Sequence, residues 1–144
     1  MDALTFLSAH VPLFVGFSEE ALTPLAADST LKKFAPGQAI LHAGISVDAL
    51  YVMVIGKAAV HAKIPGKGTA IVATLALGEV FGEASILENS LPGATVKAGE
   101  EGAVVLLIPE GPFRRLISES EPFAERVRTL IATRRAAPSA KAAA

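Results

Sequence analysis

Cysteine is absent from this chain. That excludes disulfide bonds and thiolate metal sites, and it leaves the compartment open. An excess of positive charge is missing too. Thirteen lysines and arginines stand against fourteen acids, a formal net charge of -1, so no overall attraction to nucleic acid or an anionic membrane is expected. A DNA-binding domain of this size would carry a clustered basic patch, and none is found. The N-terminal MDALTFLSAH has an acid at Asp2 and no basic leader region, so it does not read as a signal peptide. The longest apolar runs, such as AVVLLIP from Ala103 to Pro109, are far too short to cross a bilayer. Together these absences predict a soluble cytoplasmic protein. His10, His42 and His61 are scattered, with no second ligand at metal-binding spacing. PGKGT lacks the full P-loop pattern, and no G-x-S-x-G elbow occurs. Neither an enzyme active site nor a metal or cofactor is expected.

What is present suits one domain with one core: 144 residues, 51% of them hydrophobic. No internal repeat interrupts it. Leu4, Phe6 and Leu7 give a weak helical pattern that stops before Pro12. In SEEALTPLAADS, Ser18 is a good N-cap, Glu19 and Glu20 suit the first turn, and Pro24 is expected to bend or break the helix. From Ser29 the period changes to that of strands. STLKKF, AILHAG, ALYVMVIG, KAAVHAKI, TAIVATLAL, ATVKA and AVVLLIP are strand-like runs separated by glycine turns. PGKG reads as a hairpin, and Glu100-Glu101-Gly102 as a solvated turn between two strands. GPFRRLISES is then a short helix. EPFAERVRTLIATRR places Phe123, Val127, Leu130 and Ile131 at i, i+4, i+7 and i+8, an amphipathic stripe. The alternation of short strands and glycine turns indicates a sandwich or roll of antiparallel strands.

The stretch FGEASILENSLPGATVKA, from Phe81 to Ala98, carries the most chemistry. Gly82 stands ahead of a short helical turn, read as Glu83 to Leu87. A helix N-terminus exposes unpaired backbone N–H groups and attracts anions. Gly82 lets the backbone approach a ligand, Ser85 adds a hydroxyl, and the Glu83 carboxylate is suited to accept from a sugar hydroxyl. Each feature also has a plain structural meaning: glycines make turns, and an acid in the first turn answers the helix dipole.

The wider order of residues resembles the cyclic nucleotide-binding domain family, the sensor module of catabolite activator proteins, cyclic-nucleotide-dependent kinases and gated channels. The likeness runs from about Leu13 to about Arg135. It includes F-x-P-G-Q-x-I (Phe34 to Ile40), Gly44, D-x-L-Y-V-M (Asp48 to Met53), Gly56, L-x-L-G-E-V-F-G-E (Leu75 to Glu83) and A-T-V-K-A (Ala94 to Ala98). The resemblance implies a mainly β fold with flanking helices, an eight-stranded antiparallel β-roll of jelly-roll type. It divides the chain into a helical segment at 1–28, the roll at 29–109 with a phosphate-binding cassette at 81–96, helices at 110–135 and a flexible tail at 136–144. It further implies that Glu83 accepts from a ribose 2′-hydroxyl. Gly82, Ala84 and Ser85 would offer backbone N–H groups to ribose and cyclic phosphate. Ala94 would add another donor, with Thr95 nearby. Gly93 stands where some members place a hydroxyl facing guanine, so no choice between cyclic AMP and cyclic GMP is implied. The helix at 121–135 would cap the base and form a homodimer or meet a protein partner.

One member of the implied site is missing. The family pattern F-G-E-x-A-L-x-x-x-x-P-R-x-A-T-V puts an arginine at Pro92 and its proline at Leu91. The whole segment from Phe81 to Val96 holds no lysine or arginine. A hydrogen bond to a charged group is worth roughly 1.5–3 kcal/mol, so its loss weakens phosphate binding by roughly 10- to 150-fold. Lys97 shares a strand face with Thr95 but reads as solvated. Arg114 and Arg115 would have to fold back. Two functions therefore stand: a sensor that binds cyclic AMP or cyclic GMP and signals through the last helix, or a degenerate roll kept as a structural or interaction module. With little sequence beyond the last helix, either a free-standing sensor or a fragment of a larger protein is expected.

Overall fold

Two 16-residue strands form the spine of the molecule, a computed structural model that describes residues 2–136. They are β3 (Ala49–Ile64) and β6 (Ala94–Pro109), paired antiparallel along nearly their whole length. β1 (Thr30–Phe34) and β2 (Ala39–Leu41) pair with β6. β4 (Gly68–Leu75) and β5 (Val80–Phe81) pair with β3. The result is one six-stranded antiparallel sheet with main order β1-β6-β3-β4.

The expected count of eight strands is corrected to six. ALYVMVIG and KAAVHAKI are one strand, and so are ATVKA and AVVLLIP; the two-residue β5 carried no pattern of its own. The reason is that the roll turns its corner by bulges, not by breaks. The β3–β6 register shifts between Met53 and Ile55 and again between Gly56 and Ala58. Gly56 and Gly102 sit at this corner with φ of +80° and +79°. A Cβ on Gly56 would stand 2.4 Å from the Gly102 carbonyl oxygen, so only glycine fits there. Glu100 and Glu101 are exposed as expected, but they lie inside β6 and form no separate turn.

Helices bracket the roll: α1 (Ala3–His10), α2 (Glu19–Ala27), α3 (Glu83–Glu88), α4 (Glu110–Glu119) and α5 (Glu121–Arg135), with a 3-10 turn at Pro12–Phe14. Ser18 caps α2 by accepting from the Ala21 N–H. Pro24 lies inside α2 and does not break it. Leu22 and Leu25 on either side of it are fully buried, and that packing holds the helix past the missing N–H. α5 starts at the Ser120 cap and buries Phe123, Ala124, Val127 and Ile131; Leu130, the remaining stripe position, is half-buried.

The interior divides in two. One cluster joins the helices to one end of the roll and centres on the rings of Phe14, Phe113 and Phe123. The other fills the roll with Phe34, Met53, Phe81, Val96 and Val105. None of the described helices is long and apolar enough to cross a membrane. Of the expected tail, residues 137–144 lie outside the described residues.

Candidate functional site

Between the second cluster and the end of α5 lies a cavity of about 390 Å³. That volume falls in the range of small-molecule sites. Three groups of residues wall it. The roll contributes aliphatic side chains from β2, β3, β4 and β6, among them Leu41, Val60, Leu75 and Val96. The turn into α3 contributes Gly82, Glu83, Ala84 and Ser85. The last turns of α5 contribute Ile131, Arg134 and Arg135.

Each wall has a local cause. α3 begins at Gly82, whose φ of +90° suits glycine. A Cβ there would stand 3.2 Å from both the Ala49 carbonyl oxygen and the Tyr51 ring. Close packing of the turn on β3 therefore demands this glycine, whether or not a ligand approaches it. Phe81 is anchored from behind by Tyr51, with stacked rings 5.0 Å apart. Burial, then the Asp48 carboxylate, pushes the Tyr51 hydroxyl pKa above its ordinary value. Glu83 is the first residue of α3 and is buried, an uncommon setting for a carboxylate.

Of the residues singled out in the sequence, Gly82, Glu83, Ala84, Ser85, Pro92 and Ala94 all line this cavity. Thr95 does not. Its Oγ1 accepts from the Ala43 N–H at 3.1 Å and ties β6 to the end of β2. Lys97 is exposed and is no part of the wall. Arg114 is held by Glu110 at 2.9 Å and by the Asn89 side chain at 2.9 Å, and Arg115 is exposed on α4.

The cations at the cavity come from elsewhere. Arg134 Nη1 donates to Glu83 Oε1 at 2.7 Å, and its Nη2 stands 3.9 Å from Glu79 Oε2. Arg135 Nη1 donates to Glu88 Oε2 at 2.8 Å. These hydrogen bonds hold the Glu88 carboxyl below its ordinary pKa and raise that of Arg135. α5 is thus clipped to both ends of α3. Sequence reasoning passed over Arg134 and Arg135 because basic residues in a last helical turn ordinarily just answer the dipole. A signal did exist: they stand three and four residues beyond Ile131, so they continue the buried stripe.

Residues 31–120 match the family model described as "Cyclic nucleotide-binding domain". The chain belongs to the cyclic nucleotide-binding domain family. Among curated proteins it is similar to "cGMP-dependent protein kinase, isozyme 1" of Drosophila melanogaster, 28% identical over 120 residues, which are 82% of this chain and 16% of the kinase. Among solved structures it is similar to the catabolite activator protein of Thermus thermophilus. That match has a TM-score of 0.72 and 27% identity over 85% of this chain and 57% of the other. It also shares its fold with the regulatory subunit of a cAMP-independent protein kinase A from Trypanosoma cruzi, bound to guanosine. There the TM-score is 0.78, with 21% identity over 95% of this chain and 46% of the other. This cyclic nucleotide-binding domain therefore spans only part of each of these relatives. It has the fold of a regulatory ligand-binding domain.

Proposed function

We propose that this domain is a sensor in which a ribose-bearing ligand, a cyclic nucleotide or its parent nucleoside, enters the cavity and is reported by α5. The observation that carries this reading is the buried Glu83 carboxylate at the cavity wall, joined to α5 through Arg134. A carboxylate there accepts strongly from sugar hydroxyls. Backbone N–H groups of Gly82, Ala84 and Ser85, with Ala94 opposite, would surround the sugar. The aliphatic walls would take the flat base. The related kinase is named for cyclic GMP, and the Trypanosoma cruzi subunit is bound to guanosine, so ligands of both kinds occur on similar chains.

The signal follows from geometry. A sugar hydroxyl bonded to Glu83 competes with or rearranges the Arg134 contact, so ligand and helix position share one carboxylate. Only a ligand that binds the two helix positions with different affinity transmits anything. A changed hold on α5 would then reach a homodimer or protein partner through residues 121–135.

Calorimetric titration to millimolar ligand, with amide hydrogen exchange of α5 read in parallel, tests this. Saturable binding and altered exchange in α5 are expected. Glu83→Ala should weaken binding by roughly 10- to 150-fold, the worth of a charged hydrogen bond. Unchanged affinity in that variant would remove the proposed sugar contact. A flat titration with every ligand would leave the roll as an interaction module.

A further inference from the structure

The charges around the cavity do not suit a phosphate. Among the described residues that line it, the charged groups are Glu79, Glu83, Arg134 and Arg135. Arg135 is already paired with Glu88, outside the wall. Arg134 is the cation nearest the turn, and it is committed to Glu83 at 2.7 Å, with Glu79 a further 3.9 Å contact. Two carboxylates therefore share one arginine. The segment from 81 to 96 that forms the opposite wall has no lysine or arginine, and Pro92, which lines the cavity, has neither charge nor N–H.

α3 does not make up the deficit. It is only six residues long, and its first residue is Glu83 itself, so a carboxylate already stands at the helix start. An incoming monoanion would have to leave water, approach two carboxylates and draw on an arginine whose charge those carboxylates already share. An uncharged ligand meets none of these penalties. Its hydroxyls donate to Glu83 beside Arg134 and rearrange that contact without stripping the carboxylate of its cation, since a carboxylate has about four acceptor sites and the arginine uses one. Its base meets the aliphatic wall of Leu41, Val60, Leu75 and Val96.

We infer that this cavity selects an uncharged ribonucleoside over the corresponding cyclic nucleotide, with the Arg134–Glu83 pair and Pro92 setting that preference. The inference rests on the sensor reading above and deepens it by naming the charge class of the ligand.

The test is a set of matched titrations at physiological salt: adenosine against cyclic AMP, and guanosine against cyclic GMP. The wild-type protein should bind at least one nucleoside about tenfold or more tighter than its cyclic phosphate. Pro92→Arg should raise cyclic nucleotide affinity by roughly 10- to 150-fold and move nucleoside affinity far less. Glu79→Gln keeps the acceptor for the Ala76 N–H and removes one exposed charge; it should favour the cyclic nucleotide by about threefold. Tighter binding of the cyclic nucleotide by wild type would overturn the inference while sustaining the sensor reading. Equal gains for both ligands in Pro92→Arg would overturn it as well. No binding of any of the four compounds would overturn the sensor reading, and this inference with it.

Discussion

At the start of α5 the Phe123 ring packs against Phe14, Phe17 and Phe113, with centroids 5.3 to 5.8 Å away. At its end, about 17 Å along the axis by the rise of a helix, the contacts are Arg134 to Glu83 and Arg135 to Glu88. One helix is thus held by two kinds of force. Burial of aromatic area is large, non-directional and hard to switch off. An ion pair is directional, and a ligand that offers hydroxyls can compete for it. The difference shows where a helix of this kind is free to respond: the aromatic end acts as a fixed anchor and the charged end as the movable part. Arg126 reinforces the anchor by donating to the Leu13 and Val15 carbonyl oxygens, which ties the middle of α5 to the N-terminal segment.

The sharpest way to break this contrast is at the anchor. Phe123→Ala removes a fully buried ring and should cost about 3–5 kcal/mol of stability, measured by urea unfolding. A loss below about 1 kcal/mol would mean that α5 is not anchored there. The next effect is at the other end. Arg134→Ala leaves the Glu83 carboxylate buried without its partner. Breaking a fully buried pair costs about 3–5 kcal/mol, but the Arg134 side chain is 31% exposed, and solvent reduces the expectation to about 1–3 kcal/mol. Adding Glu83→Gln should recover part of that loss, because the orphaned charge is then gone. A double-mutant cycle with no coupling would sever the link between α5 and the cavity.

The smallest effect belongs to Arg135 and Glu88. Glu88 has its folded pKa lowered, first by the hydrogen bond from Arg135. The pair therefore supports the end of α5 at and above the ordinary carboxylate pKa. That support is lost as pH falls through the lowered value, where Glu88 takes up its proton in the folded state. Protection of the amides in the last turn of α5, taken relative to their intrinsic exchange at each pH, should fall over that acidic window, and Arg135→Ala should lower it at neutral pH and abolish the pH step. An unchanged step in the variant would assign it to another group.

The cassette turn was readable because its signals are local. Phe81-Gly82-Glu83 needs only neighbours in sequence to place a glycine at a positive φ and an acid at the first position of a helix. The amphipathic stripe of α5 was readable for the same reason, since the 3.6-residue period needs no knowledge of what covers it. Strand count failed where the geometry is shared between distant residues. Gly56 looks like a terminator in one dimension, but it becomes a corner only because Gly102 lies against it. The partner of Thr95 was hidden similarly: between the cavity-lining Ala94 and Val96, its hydroxyl accepts from the backbone of Ala43, 52 positions away.

By itself, the sequence determined the order of helices and strands, the glycine-marked turns, the buried stripe of α5 and the lack of any cation from Phe81 to Val96. Those are matters of composition and short-range spacing, and they hold however the chain folds. Only the tertiary structure decided which cation meets Glu83. Arg134 is 51 positions away, and the two meet because the aromatic anchor sets the direction in which α5 crosses the cavity. Electrostatics acts through space over a few ångströms, and no pattern along the chain encodes that distance.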